Sequence, residues 1–458
     1  MPAKRLSPSD MSSLLAERGP IHVHVGATMI MDGSPPDFDE LLEHVEGRLP
    51  LIPRFRQRVT PAPLRLTNPE WTDDFDFDLG WHVRHSALPK PGSMGQLRDY
   101  VGRVMSEPLD FERPLWQLYL IEGLEGERHA VVSKTHHALV DGVAAVDVGT
   151  ILLDPNPEGT EMPIPKQPSE PDEPSPELLF VRAAGERIRE PLHAARKAAL
   201  EAITMTRDTA TRVMRTTEGF AELAATRPAC PPSPFNVEIG SARRVAFARV
   251  ELQALKDTRG ESGATVNDVI LAIVAGGLRR FLAAREDERP EHLVALVPVS
   301  IRRADEHAEL GNRISTILVR LPLAVEDPAE RLELIRAETA RLKESEQARA
   351  ASLITEATGW TPPTINRLIS GAMGRPRVFN LVVSNVPGPQ MPFFLLGRRL
   401  EEVYPFVPLS PQGHALSIGV VSYDGGVFFG LAGDRRVVSD IDRLSAALAD
   451  SLTEQTAA

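Results

Sequence analysis

The chain has 458 residues, 42% apolar and 25% charged, a composition of globular units of roughly 150–225 residues rather than of disorder. Acidic residues outnumber basic ones by 63 to 51, giving a net charge of -12 and a pI near 5.6, which argues against a nucleic-acid binder. The single cysteine, Cys230, excludes an intramolecular disulfide and a cysteine-rich zinc site.

Met1–Leu6 lacks the apolar run of a secretory leader, and no uninterrupted apolar stretch of about 18 residues could form a spanning helix. A cytoplasmic protein is expected. Peripheral attachment to a membrane or lipid-droplet surface stays open.

In chain order, Ile21-His22-Val23-His24-Val25 alternates apolar and polar residues, the period-2 pattern of a half-buried strand. Asp37 to Leu49 predicts a short helix with Leu41, Leu42 and Val45 on one face. Trp116–Ile121 and Ala130–Thr135 predict two strands around the turn Glu122–Glu127. From Asp154 to Pro176 eight prolines stand among acidic residues, which precludes a helix or a central strand. Leu178 to Phe220 predicts one or two helices, and Pro228–Pro234 closes them.

The mixed pattern then resumes. Val266–Leu282 is apolar at helical spacing, and Leu293–Val299 reads as a buried strand that ends at Pro298. Pro328 and Pro362 bracket a helical stretch carrying Leu332, Ile335 and Leu342. Val378–Val383 and His414–Ser422 predict further buried strands. The chain thus divides into an N-terminal unit (1–155), a proline-rich linker with bridging helices (156–234) and a C-terminal unit (235–458).

The segment with chemistry in it is Val131-Val132-Ser133-Lys134-Thr135-His136-His137-Ala138-Leu139-Val140-Asp141-Gly142. A strand should end at the histidines and a helix begin after Asp141, which can cap it, while Gly142 lets the backbone turn. Side chains alternate along a strand, so His136 and His137 should diverge and only one should face a given cavity. An imidazole with a pKa near ~6.5 suits deprotonation of an alcohol.

The chain has no Gly-x-Ser-x-Gly elbow, and Cys230 stands in a proline-rich segment, so no nucleophile for a covalent acyl-enzyme presents itself. Two histidines with Asp141 could bind zinc, but diverging side chains and the lack of further ligands nearby argue against a metal. Taken alone, the histidine pair is more often incidental than catalytic, and Asp141 more often a cap or an ion-pair partner.

His136-His137-x-x-x-Asp141-Gly142 resembles the signature of the coenzyme A-dependent acyltransferase superfamily, which includes chloramphenicol acetyltransferase and peptide-synthetase condensation domains. Further segments resemble the bacterial wax ester synthase/diacylglycerol acyltransferase family: Leu6–Asp10, Pro114-Leu115-Trp116, Val266-Asn267-Asp268-Val269, Val297–Arg302, Gly311-Asn312, Val383–Pro389 and Ser422-Tyr423-Asp424-Gly425. They follow family order from residue 6 to residue 425.

The resemblance implies an α/β (α+β) protein of two similar chloramphenicol acetyltransferase-like domains, joined by a crossover and enclosing a channel. It implies transfer of a long-chain acyl group from acyl-coenzyme A to diacylglycerol or a long-chain alcohol, in storage-lipid synthesis. His137 would be the general base, with His136, Asp141 and Gly142 shaping the site. Asn267 would answer oxyanion charge or, equally, cap its helix. Trp116 and Asn385 would line the substrate cavity, the latter in a turn with Pro387 and Gly388, and Trp116 could equally be core.

Arg302 would meet coenzyme A phosphate or remain a solvated residue beside Arg303. No metal and no cofactor beyond the co-substrate acyl-coenzyme A is implied. The arginines and apolar residues of 178–220 fit a bridging helix or a membrane-facing one. Two rival functions share these residues: a superfamily enzyme acylating another amine or alcohol, and a non-catalytic acyl-coenzyme A or lipid-binding protein.

Overall fold

The computed structural model describes residues 4–6, 8–17, 19–61, 69–139, 149, 152–160, 230–259, 263–285, 290–300, 314–344, 378–410 and 413–457. The strands are Lys4–Arg5 (β1), His24–Asp32 (β2), Gln57–Thr60 (β3), Glu70–Asp73 (β4), Val83–Ala87 (β5), Trp116–Leu124 (β6), Arg128–His136 (β7) and Arg243–Glu251 (β8). They continue with His292–Ser300 (β9), Ile314–Pro322 (β10), Leu381–Pro387 (β11), Phe394–Leu395 (β12), Arg398–Phe406 (β13), Leu416–Tyr423 (β14) and Gly426–Asp434 (β15). Two six-stranded sheets carry the molecule, ordered β12-β13-β2-β7-β6-β5 and β10-β9-β11-β14-β15-β8, with a three-stranded β1-β4-β3 beside them.

The first sheet is not built from the N-terminal half alone. β13 pairs antiparallel with β2, Phe406 opposite Gly26 and Tyr404 opposite Thr28, so the C-terminal half supplies two of its six strands. The crossing chain is pinned at its start, where Asp154 and Phe394 exchange two backbone hydrogen bonds of 2.7 Å. The buried Asp154 carboxylate also receives Arg48 Nη2 at 2.7 Å on each oxygen.

Where β13 passes over the second sheet, Tyr404 stacks on Phe247 with ring centroids 4.3 Å apart and meets Phe428 edge-on at 5.5 Å. Gly430 sits beneath this crossing. A Cβ there would run into the Pro405 carbonyl, so backbone meets backbone with no side chain between.

The sequence pattern explains most elements. Asp37 caps the helix Phe38–Arg48 by accepting from Asp39 N–H at 2.9 Å, and Leu41 and Val45 are its buried face. The helix Val266–Ala284 is buried around most of its circumference, as expected of an apolar helix held within a core. In Pro328–Glu344 the residues Leu332, Ile335 and Leu342 are buried against the same core. Asp424 and Gly425, with φ of 41° and 79°, form a two-residue hairpin between β14 and β15; φ is positive at both, as such loops require.

Three expectations need correction. The N-terminal strand begins at His24, not Ile21, and runs on to Asp32. β9 continues through Pro298 to Ser300, because β11 pairs with it only at Ala295 and Leu296 and the missing N–H of Pro298 costs no bond to that strand. Asn385 lies within strand β11, opposite Val420, and the turn starts only after Pro387. The proline-rich segment 161–176, the helices of 178–220 and the second half of the 328–362 stretch lie outside the described residues.

Candidate active site

β7 ends at the histidine pair, and its register against β2 sets His136 opposite His24. The two side chains diverge: His136 is 0% exposed, while His137 is exposed. Backbone bonds fix the strand end. His136 N–H donates to Leu115 O, His137 N–H to Val23 O and Leu139 N–H to His136 O, each at 2.9 Å. His137 therefore projects from a framed backbone, although it follows the last strand residue.

The buried ring of His136 belongs to a network that the sequence reading missed. Its Nδ1 accepts from Ala138 N–H at 3.0 Å, so in the neutral ring the proton resides on Nε2. That Nε2 lies 2.9 Å from Glu17 Oε2, a close electrostatic contact rather than a well-aligned hydrogen bond. The same Glu17 oxygen accepts from Val23 N–H at 3.1 Å, and the carboxylate's other oxygen lies 3.5 Å from His22 Nδ1 and 3.8 Å from His24 Nε2.

Burial opposes ionisation of Glu17, but its contacts with His136 and His22 prevail and hold its carboxyl well below the usual carboxylate range. Burial pushes the His24 imidazole down to about 2, so this ring is neutral. Lys134, also on β7 and fully buried, donates to Val104 O and Glu107 O at 2.8 and 2.6 Å, and burial pulls it down to about 8. Phe111 meets His136 edge-on at 5.7 Å between centroids.

The other expected residues divide. Asn267 and Asn385 are brought together, Asn385 Nδ2 donating to Asn267 Oδ1 at 3.2 Å. Asn267 is not the helix cap. Thr265 is, in a box with Asp268 whose carboxylate accepts from Thr265 N–H at 2.8 Å while Thr265 Oγ accepts from Asp268 N–H at 3.2 Å. This frees the Asn267 amide from capping.

Trp116 is a core residue at the wall of a cavity. Its Nε1–H donates to Phe55 O at 2.7 Å and its ring stacks on His82 at 4.6 Å, beside a small cavity of about 20 Å³ also lined by Val45, Ile52 and Thr135. Asp141, Gly142 and Arg302 lie outside the described residues.

Glu17, His22 and His24 carry a signal that could have been read. His22 and His24 are two apart, and Leu14-Leu15-Ala16-Glu17 ends an apolar run on a carboxylate. What was not legible is that β2 and β7 pair, since a strand's partner is not written in its own residues. The same carboxylate and two imidazoles have ligand atoms within 4.8 Å of one another. However, the His22 and His24 rings are stacked in planes only 4° from parallel, and so do not converge on one ion as zinc ligands do.

Comparison with known proteins decides the family. Residues 6–270 match the model of the wax ester synthase/diacylglycerol acyltransferase catalytic domain, and residues 310–455 that of the family's C-terminal domain. The chain belongs to the wax ester synthase/diacylglycerol acyltransferase family. It is an enzyme, an acyl-coenzyme A-dependent O-acyltransferase, which removes the non-catalytic rival.

A probable diacylglycerol O-acyltransferase of Mycobacterium tuberculosis is 33% identical over 465 residues, covering 98% of both chains. A second probable diacylglycerol O-acyltransferase of that organism is 31% identical over 458 residues, covering 99% of this chain and 96% of the other. Among solved structures, the wax ester synthase/diacylglycerol acyltransferase of Marinobacter aquaeolei VT8 superposes with a TM-score of 0.69 at 28% identity, covering 99% and 98% of the two chains. A starter condensation domain of rhizomide synthetase, at 13% identity and a TM-score of 0.59, shares the fold, as expected of the superfamily architecture.

Proposed function

We propose that this acyltransferase moves a long-chain acyl group from acyl-coenzyme A directly to the hydroxyl of diacylglycerol or of a long-chain alcohol, with His137 as general base. The observation that carries this reading is the divergence of the histidine pair. His136 is buried, with Nδ1 accepting from Ala138 N–H and Nε2 against the Glu17 carboxylate, and His137 stands exposed on a backbone fixed by three hydrogen bonds. The first ring is tied to structure. The second is exposed, which supports its role as the base that meets the acceptor hydroxyl.

In the reaction His137 takes the acceptor's O–H proton as that oxygen attacks the thioester carbonyl. The carbon–sulfur bond breaks as the ester forms, and the imidazolium returns the proton to the coenzyme A thiolate, so the enzyme ends unchanged. No acyl-enzyme is required. The Asn267–Asn385 amide pair supplies polar hydrogen at the developing oxyanion, while Asp141, Gly142 and Arg302 keep the turn and phosphate-contact roles that the family resemblance gives them. The protein needs no metal and no bound cofactor.

Peripheral attachment to a membrane or lipid-droplet surface belongs to this reading, because both acceptor classes live there. Among the described residues no helix is long and apolar enough to cross a bilayer. The test is thiol release from palmitoyl-coenzyme A with hexadecanol, dipalmitoylglycerol or an amine as acceptor, for the wild type and His137→Ala. Acceptor-dependent release with either lipid, falling about 10²–10⁴-fold in the variant, is expected. Release with the amine alone would overturn the acceptor class, and full activity of His137→Ala would overturn the base.

A further inference from the structure

Behind the histidine pair lies a buried carboxylate for which the reaction above has no use. The Glu17 side chain is 8% exposed and stands among His22, His24 and His136, whose side chains are 7%, 1% and 0% exposed. An ion this deep is costly unless it organises its surroundings.

Its contacts lead to the base from two sides. Glu17 Oε2 accepts from Val23 N–H at 3.1 Å, and the carbonyl of the same Val23 accepts the His137 N–H at 2.9 Å. Glu17 Oε2 also lies 2.9 Å from His136 Nε2, and Nδ1 of that ring accepts the N–H of Ala138 at 3.0 Å. The residues on either side of His137, and its own amide, are thus referred to one carboxylate oxygen.

We propose that Glu17 is a positioning residue of the acyl-transfer site: its carboxylate holds the proton of His136 on Nε2, which leaves Nδ1 to accept from Ala138 and so fixes the backbone that presents His137. The role rests on His137 being the base. Were the proton of His136 on Nδ1 instead, it would face the Ala138 N–H, donor against donor, and the 136–138 turn would open. A carboxylate at Nε2 excludes that tautomer in the way a buried aspartate orients a catalytic imidazole, here one residue removed from the base. The neutral His24 ring, edge-on to His136 at 6.4 Å between centroids, closes the far side of the carboxylate.

The test combines Glu17→Met, which removes the acceptor at similar length, with Glu17→Gln, which keeps an amide oxygen. With palmitoyl-coenzyme A and dipalmitoylglycerol, kcat should fall about 100-fold for Glu17→Met and about 10-fold for Glu17→Gln, with KM for the thioester within about twofold of wild type. If the two residues act as one unit, Glu17→Gln combined with His136→Gln should be no slower than His136→Gln alone, whereas independent structural damage would multiply.

Multiplying losses, or a folded Glu17→Met with wild-type kcat, would overturn the proposal. So would stoichiometric zinc in the purified protein that departs with Glu17→Gln. Should Glu17→Met not fold, the Gln cycle decides by itself. His137→Ala assayed in parallel separates the two claims. If it is active, the base is wrong whatever Glu17 does; if it is inactive while Glu17→Met matches wild type, only the positioning role fails.

Discussion

Replacing Asp154 by asparagine tests how the crossing strands are secured. The carboxylate is 2% exposed and takes Arg48 Nη2 on both oxygens at 2.7 Å, together with Thr160 N–H at 3.0 Å. Its backbone is bound on both sides to Phe394, the first residue of the crossing pair β12 and β13. Asparagine keeps the shape and removes the charge, so the guanidinium stays in a site 9% exposed without its carboxylate.

Breaking a buried ion pair from one side costs about 3–5 kcal/mol, several times what a surface pair is worth. Guanidinium unfolding followed by tryptophan fluorescence is the assay, since Trp71, Trp81 and Trp116, three of the four tryptophans, lie in the N-terminal unit. A lower midpoint at unchanged slope is expected, and Arg48→Met with Asp154→Leu should recover most of the loss. A loss below about 1 kcal/mol in Asp154→Asn would refute the reasoning, for the pair would then behave as solvent-exposed.

Gly430→Ala should weaken the seam between the sheets by about 1–3 kcal/mol, because its Cβ meets the Pro405 carbonyl; an unchanged melting temperature would contradict this. Trp116→Phe loses the indole bond to Phe55 O and should cost about 1–2 kcal/mol by urea titration, with little change in KM if the residue is core. Stability should fall as pH drops through 6.5. Burial holds His24 down to about 2 and His414 to about 4, and lowers His44, His82 and His129 as well, so below 6.5 the unfolded chain takes up protons that the folded one does not. Each such group contributes up to about 1.4 kcal/mol per pH unit, and a urea midpoint flat from pH 7 to 5.5 would contradict the assignment.

Much of this was legible in the residues. The helices at 38–48 and 266–284 follow from apolar spacing and nearby caps, and the histidine pair diverges as expected, although His137 stands one residue past the strand end. The limits are physical. Phe394–Phe406 drew no expectation from the sequence, and nothing in those residues says that they complete the sheet of the other half. Asn267 looked like a cap because it stands just ahead of the apolar run. Thr265 takes that place, since its hydroxyl and Asp268 can satisfy each other and Asn267 then falls inside the first turn. Glu17 went unread for a third reason: its meaning depends on β2 lying beside β7, a pairing that only the folded sheet reveals.

The central claim, direct transfer with His137 as base, is tested most sharply by single-turnover mixing of enzyme in excess over palmitoyl-coenzyme A. Thiol and ester should appear together at one rate, only when dipalmitoylglycerol or hexadecanol is present, and that rate should collapse in His137→Ala. A burst of thiol without acceptor, with palmitate retained on the protein, would contradict the account by revealing an acyl-enzyme.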